Sequence, residues 1–169
     1  MNEETFQPGS IRRLDDGFEG RLQRVIEHAT DPVWQMLTDP QKIAQWLAPG
    51  SIELRQGGAV RIDFADSGIL IESTVRAFET GRLLEYSWSS GAEPDRPLRW
   101  ELTAVGQGTR LDLTVRLPAS EDIAKACAGF EGHLDMMLAA LEGVPIRFPF
   151  ERFLQARKAY QAQLASLAD

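Results

Sequence analysis

From Ser51 to Leu117 apolar residues fall at every second position, and that period of two dictates a sheet before any other feature is weighed. Val60, Ile62 and Phe64 alternate with Arg61 and Asp63, and Leu84, Tyr86 and Trp88 with Glu85 and Ser87. Leu98, Trp100 and Leu102 alternate with Arg99 and Glu101, and Leu111, Leu113 and Val115 with Asp112 and Thr114. Gly57-Gly58, Asp66-Ser67-Gly68, Thr80-Gly81 and Gly106-Gln107-Gly108 separate the runs, each a hairpin-turn signal. The expected product is an antiparallel meander with one charged face and one apolar face rich in large aromatics. That apolar face has to be covered.

The cover is the stretch Ser120 to Gly143. Ile123, Cys127, Phe130, Leu134, Met137, Leu138 and Leu141 recur at steps of three and four, one stripe down a helix. Ser120 is placed to cap it, Glu121 and Asp122 put negative charge in its first turn, and Gly143 with Pro145 stops it. About 22 helical residues span roughly 33 Å, the width of a small domain. Upstream, Gly20 to Ala29 reads as a first strand with Leu22, Arg24 and Ile26 on one face. Asp31-Pro32 and Asp39-Pro40 each announce a short helix, the first burying Val33, Trp34 and Leu37, the second Ile43, Trp46 and Leu47. Residues 1–16 read as a loose lead-in, and Ile146 to Asp169 as a second amphipathic helix with an aromatic start.

Net charge over the 169 residues is −7, which disfavours a nucleic-acid backbone or an anionic membrane surface as partner. Cys127 is the lone cysteine, so neither an intramolecular disulfide nor a cysteine metal cluster is available. No apolar run is long enough to span a membrane, and MNEETFQPGS does not read as a secretory signal. A cytoplasmic protein is the expectation.

The sequence offers little to a search for chemistry. His28 and His133 stand far apart, without any HExxH or CxxC spacing, and no metal or cofactor is expected. Cys127 and His133 lie six residues apart on one helix, so at ~100° per residue they point about 120° away from each other and form no nucleophile–base pair. Glu72, Glu85 and Glu101 share a strand face with Arg76, Arg99 and Arg110, which reads as solvated cross-strand pairing. No catalytic residue is assigned. The inward aromatics are more informative. Trp46, Phe64, Tyr86, Trp88 and Trp100 face Phe130, Leu134 and Met137 on the helix stripe. Packed flat these eight are core; held apart at one end they line an apolar pocket, oriented by the Tyr86 hydroxyl and the indole N–H groups. Gly129 and Gly132, costly in a helix, signal close packing against the sheet or room for a ligand.

The order of elements resembles the helix-grip fold of the START-like (SRPBCC) superfamily, an α+β architecture with a curved antiparallel sheet around one long helix. Val33 to Pro40 (VWQMLTDP) followed by Trp46 looks like that family's opening motif, and Gly57-Gly58 its turn before the third strand. Gly129-Phe130-Glu131-Gly132-His133-Leu134-Asp135 with Leu138, Leu141 and Gly143 is similar to its long-helix signature, with Phe130 where tryptophan is usual. These motifs resemble the branch of the C-terminal domain of the activator of heat-shock-protein-90 ATPase. The resemblance implies a helix-grip domain over residues 17–145 and a helical extension over 146–169. The leading expectation is binding of a small apolar or amphipathic molecule, such as a lipid, between sheet and helix. A chaperone-associated, stress-response role with a heat-shock chaperone as partner is the alternative, and a cyclase- or hydrolase-like enzyme the second. Homodimerisation through the aromatic tail helix is a further expectation.

Overall fold

The structure, a computed structural model, describes residues 7–167. Its eight strands are β1 (Ser10–Leu14), β2 (Gly17–Ile26), β3 (Gly50–Ile52), β4 (Ala59–Phe64), β5 (Ile69–Glu79), β6 (Leu83–Ser87), β7 (Pro97–Val105) and β8 (Gly108–Pro118). They form one sheet in the order β1-β2-β8-β7-β6-β5-β4-β3, with every neighbouring pair antiparallel. The helices are α1 (Thr30–Thr38), α2 (Pro40–Trp46), α3 (Ile123–Leu141) and α4 (Phe150–Leu167). The fold is the expected α+β helix grip, with α3 laid along the inner face of the sheet.

The alternation read from the sequence sets the two faces. Ile62, Leu84, Leu98, Trp100, Leu111 and Leu113 are all buried, and the residues between them carry charge to the outer face. Gly57, Gly68, Gly81 and Gly106 adopt positive φ at the turns where glycine is strain-free. Between Val75 and Ala77 the β5–β6 pairing slips by one residue, a bulge that bends the sheet.

Three expectations are corrected. The lead-in is not loose throughout: residues 10–14 form the edge strand β1, paired from Ser10↔Arg21 to Leu14↔Gly17. SIRRL buries only Ile11, too little for a strand signal, and its attachment comes from α4, where Gln163 accepts the Ile11 N–H at 2.9 Å. Helix α1 starts at Thr30, with Asp31 in its first turn rather than at its cap, whereas Asp39 caps α2 as expected, accepting the Gln41 N–H. Helix α3 is capped by Asp122, which accepts the Lys125 N–H, because a turn closed by Glu121 N–H on the Pro118 carbonyl consumes Ser120. Its C-terminus matches the expected stop. Gly143 at φ 74° lets its own N–H reach the Ala140 carbonyl and that of Val144 reach Ala139, a Schellman closure.

Helix α4 packs back on α3 and β1, with Ala156 and Tyr160 fully buried. The aromatic start of the tail is thus partly spent inside: Phe148 and Phe153 are half-buried, while Phe150 is exposed.

Candidate functional site

The inner aromatics form a continuous chain of ring contacts. Trp46 closes α2 and anchors its indole by donating to the Met36 carbonyl at 2.7 Å. It meets Trp100 of β7 edge-on, with ring centroids 5.6 Å apart, and Trp100 meets Phe130 of α3 at 6.3 Å. Phe130 touches Trp88 at 5.3 Å, which in turn contacts Tyr86 at 6.5 Å and Phe64 at 5.9 Å. From Phe64 the chain runs through His133 and Phe148 to Phe153 and the exposed Phe150. Most of these pairs are edge-on or tilted, the arrangement the ring quadrupoles favour.

All eight residues singled out from the sequence therefore lie on the inner side. Trp46, Tyr86, Trp100, Phe130, Leu134 and Met137 are buried, and Phe64 and Trp88 are half-buried at the outer end. Four concavities of about 200 to 470 Å³ lie along the β1 edge and the outer sheet face, and none of these four is between the sheet and α3. The two helix glycines differ. A Cβ on Gly132 would come within 2.7 Å of the Phe148 ring, so Gly132 admits the α3–α4 connection rather than the sheet, while a Cβ on Gly129 would meet nothing.

The polar groups here are few. The Trp100 indole N–H is buried without a hydrogen-bond partner. It faces the Tyr86 hydroxyl without hydrogen-bond geometry; burial drives the pKa of that hydroxyl upward against the opposing effect of the indole N–H, so Tyr86 stays protonated. Histidine 133 bonds through Nδ1 to the Trp46 carbonyl at 2.8 Å, an acceptor that fixes the proton on Nδ1 and leaves Nε2 as the ring's acceptor. Burial holds its pKa below the usual histidine range, only partly opposed by that carbonyl, so the ring is neutral.

A second polar cluster escaped the sequence reading. Glu131, fully buried on α3, takes Arg24 Nη2 at 2.7 Å on one oxygen and the Tyr160 hydroxyl at 2.6 Å on the other. Tyr160 in turn accepts the Gly9 N–H at 2.8 Å, and Asp135 bridges Arg24 to Arg152. The signal was present in Arg24, an arginine on an otherwise apolar strand face, but its partners come from another helix. Burial, reinforced by Glu131, raises the pKa of Cys127 and of Tyr160, leaving both protonated and unreactive. This cluster is structural. Cys127 packs on Gly20 of β2, away from His133, as the helical spacing requires. Among the described residues no group of three or more histidine, cysteine or carboxylate side chains could hold a metal, and no helix is long and apolar enough to cross a membrane.

Comparison with known proteins finds one matching family and several solved structures of the same fold. The family described as activator of Hsp90 ATPase homolog 1-like protein matches residues 28–142. Among solved structures, CalU16 from Micromonospora echinospora superposes with a TM-score of 0.78 at 21% identity, covering 96% of this chain and 99% of that one. The conserved protein of unknown function EF2215 from Enterococcus faecalis gives 0.76 at 20% identity, covering 94% and 91%. A protein encoded by BPP1335 from Bordetella parapertussis gives 0.70 at 26%, covering 89% and 87%. Among curated proteins, none matches.

Proposed function

We propose that this chain, which belongs to the activator of Hsp90 ATPase homolog 1-like family, binds a small apolar or amphipathic molecule between the sheet and α3. The observation that carries this reading is the Trp100 N–H, buried without a partner beside the Tyr86 hydroxyl at the inner end of an aromatic chain that reaches the surface. An unsatisfied buried donor costs about 1–3 kcal/mol, and a ligand carbonyl or carboxyl oxygen removes that cost while its apolar body packs on the rings. Entry requires side chains to swing, and Phe64, Trp88 and Phe148 are the half-buried rings able to do so. Neutral His133 supplies an acceptor beside Phe64 and Phe148 for a ligand hydroxyl.

Titrating the protein with fatty acids and aromatic ketones, followed by tryptophan fluorescence and indole N–H resonances, tests the reading. Binding should shift the Trp100 indole signal. Trp100→Phe should weaken carbonyl-bearing ligands about tenfold, equivalent to ~1.4 kcal/mol, and spare purely apolar ones. Indole signals that stay unmoved by every ligand would overturn it.

A further inference from the structure

The outer face of the sheet carries a charge cluster that the inner site does not use. Glu19 on β2 lies between Arg12 of β1 and Arg116 of β8 in one cross-strand row, and Arg21 follows two residues along β2 on the same face. Three guanidiniums converge on this carboxylate, Arg12 at 2.8 Å, Arg21 at 3.1 Å and Arg116 at 2.8 Å. The Glu19 side chain has no exposed surface, whereas those of Arg12, Arg21 and Arg116 are 60, 65 and 50% exposed. Each arginine reaches Glu19 through Nε, so both η nitrogens of each are left over. Among the described residues those η nitrogens have no hydrogen-bond or ion-pair partner.

We propose that Arg12, Arg21 and Arg116, held in place by Glu19, form a binding site for a dianionic phosphate group on a small molecule. Three cations on one buried anion leave an excess of two positive charges, in a chain whose net charge is −7. A phosphate monoester carries about −1.5 to −2 at neutral pH and matches that excess, with acceptor oxygens suited to guanidinium forks. Glu19 fixes the forks beforehand, which lowers the ordering cost that long arginine side chains impose on a binding event. Space is available on both sides of Arg21. One concavity of about 230 Å³ is lined by Ser10, Arg12, Glu19 and Arg21, and another of about 200 Å³ by Arg21, Arg99, Thr114 and Arg116 together with the carboxylates of Glu85 and Glu101. Each exceeds the ~30 Å³ share of a water several-fold. Arg99 is engaged by Glu85 and Glu101, which confines the excess charge to the Glu19 row.

The test is a titration of the full chain with inorganic phosphate, then phenyl phosphate, against sodium chloride at matched ionic strength. It follows the arginine Nε–H resonances. Phosphate should shift the signals of Arg12, Arg21 and Arg116 saturably while chloride does not. Arg21→Gln or Arg12→Gln should weaken binding at least fivefold. Arg61→Gln, on β4 of the same sheet and paired with Glu72, should leave it unchanged. Tighter binding of phenyl phosphate assigns the site to an organic phosphate, and equal binding to the free anion. Equal shifts with chloride, or undiminished binding in both the Arg12 and Arg21 variants, would overturn the proposal.

Discussion

Gly20 and Cys127 show how one missing side chain sets the distance between sheet and helix. A Cβ on Gly20 would lie 2.2 Å from the Cys127 sulfur, and beyond that sulfur nothing approaches within 3.8 Å. Gly20→Ala should therefore cost about 1–3 kcal/mol by overpacking. Adding Cys127→Ala should recover most of that loss, a non-additivity that urea melts of the four members of the cycle would measure. The sequence displays both residues, but nothing in it indicates that they touch across 107 positions. Glu19 makes a second residue-scale prediction. Burial raises its pKa, but the Arg12 and Arg116 guanidiniums outweigh burial and hold it at about 2. An unfolded glutamate titrates near 4.3, so the row stabilises the fold fully above that pH and loses its contribution as pH falls toward 2. The stability gap between wild type and Glu19→Gln should accordingly narrow from pH 6 to pH 2; a constant gap would contradict the assignment.

At the scale of elements, β1, α3 and α4 are joined by polar contacts that none of them could make alone. Tyr160 donates to Glu131 and accepts from Gly9, while Gln163 binds the Ile11 N–H and the Gly9 carbonyl. Tyr160→Phe removes one hydroxyl and leaves the buried Glu131 Oε2 and the Gly9 N–H only their long 3.4 Å bond to each other, so a loss of about 1–3 kcal/mol is expected. Hydrogen exchange at Gly9 and Ile11 should accelerate more than exchange in β7 or β8. The periodicities of β2, β4–β8 and α3 were legible because each buries an apolar stripe of its own. That of β1 was not, since its place depends on side chains some 150 residues away.

For the whole molecule, α4 acts as part of the packing. Ending the chain at Gly143 would uncover Glu131, Gly132 and His133 together, and take Arg152 from Asp135. Such a truncation should lower Tm by at least about 5 °C, since ~1 kcal/mol corresponds to roughly 2–4 °C at this size and the lost contacts are expected to cost more than about 2 kcal/mol. A melt unchanged by the truncation would make 146–169 a separable extension. The sequence by itself determined the strand alternation, the glycine turns, the long α3 with its glycine stop, and the inward side of all eight aromatic and aliphatic candidates. These depend on local period and backbone conformation, which neighbouring residues fix. Only the tertiary structure decided that Trp46 spends its indole N–H on Met36 while Trp100 keeps its own unpaired, and that Glu131 is sealed by Arg24 and Tyr160. It likewise decided that Arg12, Arg21 and Arg116 meet on Glu19. Hydrogen bonds and ion pairs between distant segments follow from register and helix rotation, which arise when the whole core packs at once.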